Sequence, residues 1–176
     1  MSAAPLEQRI LGALRDVPDF PQPGVSFKDI TPLIADADLF AEVVRAHAQP
    51  WVGKVDMIAG LEARGFIFGA AIALHMGLGF IPVRKGGKLP GPTVGVDYAL
   101  EYGSARIEVQ EDAVSPGVRV LVVDDVLATG GTAAAACELL ETCGAVVPGI
   151  EVLVEIGALP GREVLAGRAV RSLVTV

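Results

Sequence analysis

Chemistry concentrates in one segment, residues 121–132 (LVVDDVLATGGT). Ala128, Thr129, Gly130, Gly131 and Thr132 suit a phosphate monoester. Glycines let the backbone approach, successive N–H groups converge on one anion, two threonine hydroxyls donate, and a following helix start adds its dipole. Asp124 and Asp125 would repel that phosphate on contact. They suit neutral hydroxyls, such as a vicinal diol, which donate to carboxylates. A phosphate loop beside a diol-binding acid pair describes a ribose 5-phosphate site. A lone Thr-Gly-Gly-Thr would be a strand–helix turn with a capping threonine; the apolar strand and both acids decide for the site. Walker A and GxGxxG loops are absent from the sequence, so triphosphate and dinucleotide readings lack their usual cradle.

Other residues extend this chemistry toward anions and a flat ring. Arg84, Lys85 and Lys88 place three of the chain's 14 Lys and Arg residues together in a protein of net charge −7. Beside a glycine-rich loop they suit a diphosphate better than a solvated patch. Glu62, Ala63, Arg64 and Gly65 follow an apolar run and form a second short loop lined by backbone N–H groups; a surface ion pair with Glu62 is the bland alternative for Arg64, and its position in the loop decides against it. Val25, Ser26, Phe27 and Lys28 offer an apolar wall, an aromatic ring and exposed backbone, as a flat purine requires, although Phe27 also fits ordinary core.

Composition excludes several classes. With 52% apolar and 20% charged residues in 176, the chain is globular. An acidic balance argues against a nucleic-acid or polybasic membrane binder. Cys137 and Cys143 lie about 120° apart around a helix, unsuited to a bridge, and read as free thiols of a reducing cytoplasm. With His47 and His75 as the sole histidines, Cys/His metal ligation and a cysteine–histidine nucleophile are poorly supported. The first 18 residues show no apolar export signal. Residues 65–83 carry no formal charge, but the glycines at 77 and 79 divide them into a helix of about 15 Å and a strand, too short to span a bilayer.

The elements that must position these groups follow from periodicity. Helical spacing predicts helices over 6–17 and 39–51, the second capped by Asp36 or Asp38. A proline-rich loop lies between them. Strands are expected at 55–61, 80–84, 106–110 (an edge or two-faced strand), 118–123, 150–156 and 170–176, and helices at 67–76 and 132–143, with Gly144 at the latter's end. Residues 85–101 read as a long mobile loop. Alternating strands and helices imply an α/β fold, a single domain over 1–176 whose parallel sheet is flanked by helices, with ligands at the strands' carboxyl ends.

VVDDVLATGGT (residues 122–132) resembles the 5-phosphoribosyl 1-diphosphate (PRPP) signature of the type I phosphoribosyltransferases. Residues 20–31 (FPQPGVSFKDIT), 60–66 (GLEARGF), 83–91 (VRKGGKLPG) and 100–103 (LEYG) narrow the resemblance to the adenine phosphoribosyltransferase family. It implies a Rossmann-like type I phosphoribosyltransferase fold with a flexible hood loop, and phosphoribosyl transfer from PRPP to adenine with magnesium, giving AMP and diphosphate. A cytoplasmic homodimer is also expected. On this resemblance Asp124 and Asp125 bind ribose, residues 128–132 the 5′-phosphate, and Glu62, Ala63, Arg64, Arg84, Lys85 and Lys88 the diphosphate. A cis peptide is expected between Glu62 and Ala63, and part of the basic loop would reach the neighbouring subunit's site. Val25, Ser26, Phe27 and Lys28 would hold adenine, and Glu101 would contact the purine's transferring proton. Many family members carry arginine where this chain has Lys28, which removes a planar fork and keeps a point charge. No direct metal ligand is implied, magnesium being held through PRPP and water. Two other readings stand beside this one: transfer to another purine base, and a PRPP-sensing regulator, for which no added nucleic-acid surface is seen.

Overall fold

The computed structural model describes residues 4–20, 22–99 and 103–176, which divide into two compact units, Met1–Ala46 and His47–Val176. In the first, helix α1 (Leu6–Ala13) stops where Leu14 turns extended, and β1 (Arg15–Val17) pairs antiparallel with β2 (Phe27–Asp29). The helix expected to reach residue 17 is therefore shorter. Pro18 disfavours helical backbone at Val17, and Arg15 meets Asp29 across the ribbon, its Nε donating at 3.0 Å. Helices α2 (Thr31–Ala35) and α3 (Ala37–Ala48) follow. Asp36 caps the latter by accepting the N–H groups of Asp38 and Leu39 at 3.1 and 3.0 Å.

The second unit is built on seven strands: β3 (Met57–Leu61), β4 (Gly79–Lys85), β5 (Thr93–Ala99), β6 (Ser104–Gln110), β7 (Arg119–Leu127), β8 (Val146–Glu155) and β9 (Val170–Thr175). Their order is β5-β6-β4-β3-β7-β8-β9. The five strands β4-β3-β7-β8-β9 run parallel, as their nearly unbroken apolar sequences require. Helices α4 (Gly65–Met76) and α5 (Gly131–Thr142) and a short turn of helix, α6 (Gly161–Val164), connect them. Gly77, at φ +68°, ends α4 in the left-handed conformation, and no described helix is long and apolar enough to cross a membrane.

Two expectations are corrected here. The segment 85–101 is half strand: β5 pairs antiparallel with β6 over seven residues, which places β6 inside the sheet and makes the sheet mixed. The signal was an alternation: Val94, Val96 and Tyr98 pack against the core while Asp97 faces solvent. Strand β7 also runs four residues past its expected end. The ladder with β8 continues from Asp124↔Val152 to Leu127↔Glu155, so both acids sit on ordered strand instead of loop.

Beneath the site lies a core of Ala59, Leu61, Val83, Val120 and Val122 against Ala136, Cys137 and Leu140 of α5. Gly65 brings the start of α4 directly against β7. A Cβ there would lie 2.8 Å from the Val123 carbonyl and 2.9 Å from Asp124 Oδ1.

Candidate active site

At the carboxyl ends of β3, β4 and β7 the second unit opens into a cavity of about 550 Å³ lined by Glu62, Ala63, Arg64, Lys85, Asp124 and Asp125, among others. A smaller recess of about 80 Å³ adjoins it, floored by Ala128, Thr129, Gly130 and Thr132. Sheet topology produces this meeting: loops that are far apart in sequence emerge from adjacent parallel strands.

The first loop turns on a cis peptide between Glu62 and Ala63, at the expected position. Arg64, which begins α4, does not pair with Glu62. Its Nε lies 2.8 Å from Asp125 Oδ2, an ion pair that falls short of hydrogen-bond alignment. Glu62 turns instead to the basic segment. It accepts the Lys85 N–H at 2.9 Å and, through both oxygens, the Arg84 Nε and Nη2 at 3.2 and 3.3 Å. Burial works to raise the Glu62 pKa, yet the Lys85 N–H and the Arg84 guanidinium together hold it below its ordinary value. Arg84 also donates Nη1 to the Lys88 carbonyl at 2.9 Å. The guanidinium thus braces the turn that carries Lys85 and Lys88, whose own side chains are exposed.

A residue that sequence patterns did not single out secures the other side of this turn. Glu108 on β6, only 8% exposed, accepts the Gly87 N–H and the Arg106 Nε, each at 3.0 Å. Arg106 reaches on to Asp97, and a Cβ on Gly95 would come within 2.7 Å of its guanidinium. Alternating strand residues were the available signal, but nothing in their spacing identifies the partner.

Asp124 and Asp125 lie within the last stretch of pairing on β7, short of its end at Leu127, and meet few donors. Asp124 Oδ1 accepts the Asp125 N–H at 2.8 Å, while Asp125 Oδ2 is buried with no hydrogen bond among the described residues. Burial pushes both pKa values up, and for Asp124 the neighbouring Asp125 charge pushes further. Gly130, at φ +84°, then turns the chain into α5, and a Cβ there would strike the Gly161 carbonyl at 2.7 Å. Thr132 sits in the first turn of α5, beside N–H groups without intrahelical partners. A second unanticipated residue enters here: Tyr98 of β5 lines the large cavity, and its hydroxyl accepts from Thr132 Oγ1 at 3.3 Å.

Val25, Ser26, Phe27 and Lys28 belong to the first unit. Phe27 meets Phe20 edge-on with ring centroids 5.1 Å apart, and Lys28 Nζ lies 2.5 Å from Asp16 Oδ1. Val25 closes a small turn, its carbonyl accepting the Phe20 N–H at 3.1 Å. Glu101 lies outside the described residues.

A cavity with a cis-peptide loop, an acid pair and a Thr/Gly helix start narrows the search to phosphoribosyl chemistry, and comparison with known proteins agrees. The phosphoribosyl transferase domain family matches residues 28–163. An adenine phosphoribosyltransferase of a Nocardioides species is 54% identical over 178 aligned residues, covering 98% of this chain and 96% of that one. The crystal structure of adenine phosphoribosyltransferase from Thermoanaerobacter pseudethanolicus superposes with a TM-score of 0.94 at 46% identity, covering 98% of this chain and all of that one. The Saccharomyces cerevisiae enzyme, crystallised with adenine and an imino-altritol bisphosphate, gives 0.89 at 39% identity, covering 96% and 98% of the two chains. Full-length identity at this level, on top of a matching fold, places the chain in the phosphoribosyl transferase domain family, among the adenine phosphoribosyltransferases.

Proposed function

We propose that the chain transfers the 5-phosphoribosyl group of PRPP to adenine, releasing AMP and diphosphate in a purine-salvage step. The observation that carries this reading is the Arg64–Asp125 contact, which joins the diphosphate loop to the ribose acids inside one cavity. As diphosphate leaves C1, the ribose develops oxocarbenium character. Arg64, Lys85 and Lys88 then neutralise the departing anion, with Arg84 bracing their turn and Glu62 anchoring it. The Glu62–Ala63 loop presents backbone toward that anion. Asp124 and Asp125 accept the ribose hydroxyls, and residues 128–132 hold the 5′-phosphate; such positioning and preorganised charge account for the catalysis. Val25, Ser26, Phe27 and Lys28 take adenine, and Glu101 accepts the proton that the purine sheds.

Magnesium carried by the diphosphate of PRPP would supply positive charge to the leaving group. The buried, unsatisfied Asp125 Oδ2 fits a role of accepting from its hydration water. A homodimer is supported by the outward face of α4, where Ile67, Ala70 and Leu74 form an exposed apolar row. The free thiols Cys137 and Cys143 accord with a cytoplasmic location.

Turnover assays with adenine, hypoxanthine, guanine and xanthine test the reading. Adenine is the expected substrate; preference for another base, or PRPP binding without turnover, overturns it. Glu101→Leu should lower kcat by about 10²–10⁴-fold while leaving PRPP affinity nearly intact, and Glu101→Gln by somewhat less. Single-turnover rates within about threefold of the parent for Glu101→Leu would remove its catalytic role.

A further inference from the structure

We infer that Tyr98 is a positioning residue for the 5′-phosphate, holding the Thr132 hydroxyl in the orientation that donates to the anion. This rests on the assignment of residues 128–132 to the phosphate. Three observations place it there. The Tyr98 hydroxyl is 3.3 Å from Thr132 Oγ1. Both residues line the same cavity, with Asp124 and Asp125. The end of β5 also lies along the start of α5: a Cβ on Gly131 would sit 3.8 Å from the Ala99 carbonyl and 3.9 Å from Tyr98 Cδ2.

Proton accounting gives the contact its direction. A threonine hydroxyl has one hydrogen and two lone pairs, and a phosphate dianion offers only acceptors. In the structure that hydrogen goes to Tyr98. When phosphate binds, Thr132 must give its hydrogen to the anion, leaving an oxygen that can accept. Tyr98 is placed to reverse its own role and donate to that oxygen. The resulting chain, phenol to threonine to phosphate, is polarised in one direction, so each link strengthens the next. Without the phenol, Thr132 keeps its reach but loses the donor that fixes its rotation. The ring also packs against the core, so removal of the hydroxyl alone separates positioning from packing.

Tyr98→Phe tests this on the intact chain. Affinity for ribose 5-phosphate, measured by calorimetric titration, should fall about three- to tenfold. Binding of magnesium diphosphate should stay within about twofold. The KM for PRPP should rise by the ribose 5-phosphate factor, with kcat changing less. In a Thr132→Ala background the same substitution should cost almost nothing further, because its target is gone. Unchanged ribose 5-phosphate affinity in Tyr98→Phe, or an equal loss with and without Thr132, overturns the inference. The functional reading fails separately. A parent chain that makes no AMP, yet loses ribose 5-phosphate affinity on Tyr98→Phe, would sink that reading and leave this one standing.

Discussion

Two buried acids on neighbouring strands, Glu151 of β8 and Asp125 of β7, are furnished in opposite ways. Glu151 is fully enclosed and surrounded by donors. Trp51 Nε1 donates to Oε1 at 2.6 Å, Arg171 Nη1 to the same oxygen at 3.1 Å, and His47 Nδ1 lies 2.9 Å from Oε2. Asp125, 4% exposed, has one carboxylate oxygen without a hydrogen bond among the described residues and a single arginine at contact distance. An acid that only holds structure can be saturated by the protein. One that receives a ligand must be left short of donors, so that the ligand completes the set, and the fold tolerates the cost of burial in the meantime.

The largest effect that would test this contrast is on affinity. Asp124→Asn combined with Asp125→Asn should weaken PRPP binding by about 3–6 kcal/mol, from two charge-assisted bonds of about 1.5–3 each, in a chain that still folds. Calorimetric titration with magnesium and PRPP measures it; an unchanged affinity would remove the ribose assignment.

Glu151→Ala should act in the opposite sphere. It leaves a buried indole N–H, His47 and Arg171 without their acceptor, and should destabilise the fold by about 3 kcal/mol in urea denaturation. The folded fraction should bind PRPP within about twofold of the parent. A stability loss below about 1 kcal/mol would mean that the two acids do not differ as described.

The smallest effect sharpens the contrast through pH. Because the Asp124 pKa is raised in the folded chain, its protonated form is the one that stabilises. That contribution is complete below the ordinary value of 3.8 and is lost as pH rises through the raised one. At neutral pH the carboxylate is therefore a liability. Asp124→Asn, which has no charge to bury, should raise stability by about 1 kcal/mol at pH 7, with the gain shrinking as the solution is acidified. A melting temperature unchanged by the substitution at pH 7 would count against a strained acid pair.

How much of this was legible depended on how local each signal was. The parallel strands, α4, α5 and the phosphate loop were readable because runs such as VRVLVV and the Thr/Gly turn carry their meaning within a few residues. The β5–β6 hairpin was missed because the Gly and Pro residues at its base outweighed a seven-residue alternation. Partner choice was the least readable. Nothing local to either residue names its partner: adjacency of β3 and β7 gives Arg64 to Asp125, and adjacency of β3 and β4 gives Glu62 to Arg84. No pattern around Glu151 foretells a partner about a hundred residues away. The seat of Glu101 lies outside the described residues, so its role still stands on resemblance.

The close seating of Gly65 on Asp124 also bears on how such a site can be altered. With no room for a methyl group between the start of α4 and the end of β7, a change at either place is transmitted to the other. The diphosphate loop and the ribose acids therefore form one unit of variation. Libraries that randomise residues 62–65 alone should return mostly inactive chains, whereas those that vary them together with residues 123–125 can find compensated pairs. Redesign for a different leaving group has to treat the two segments as a single part.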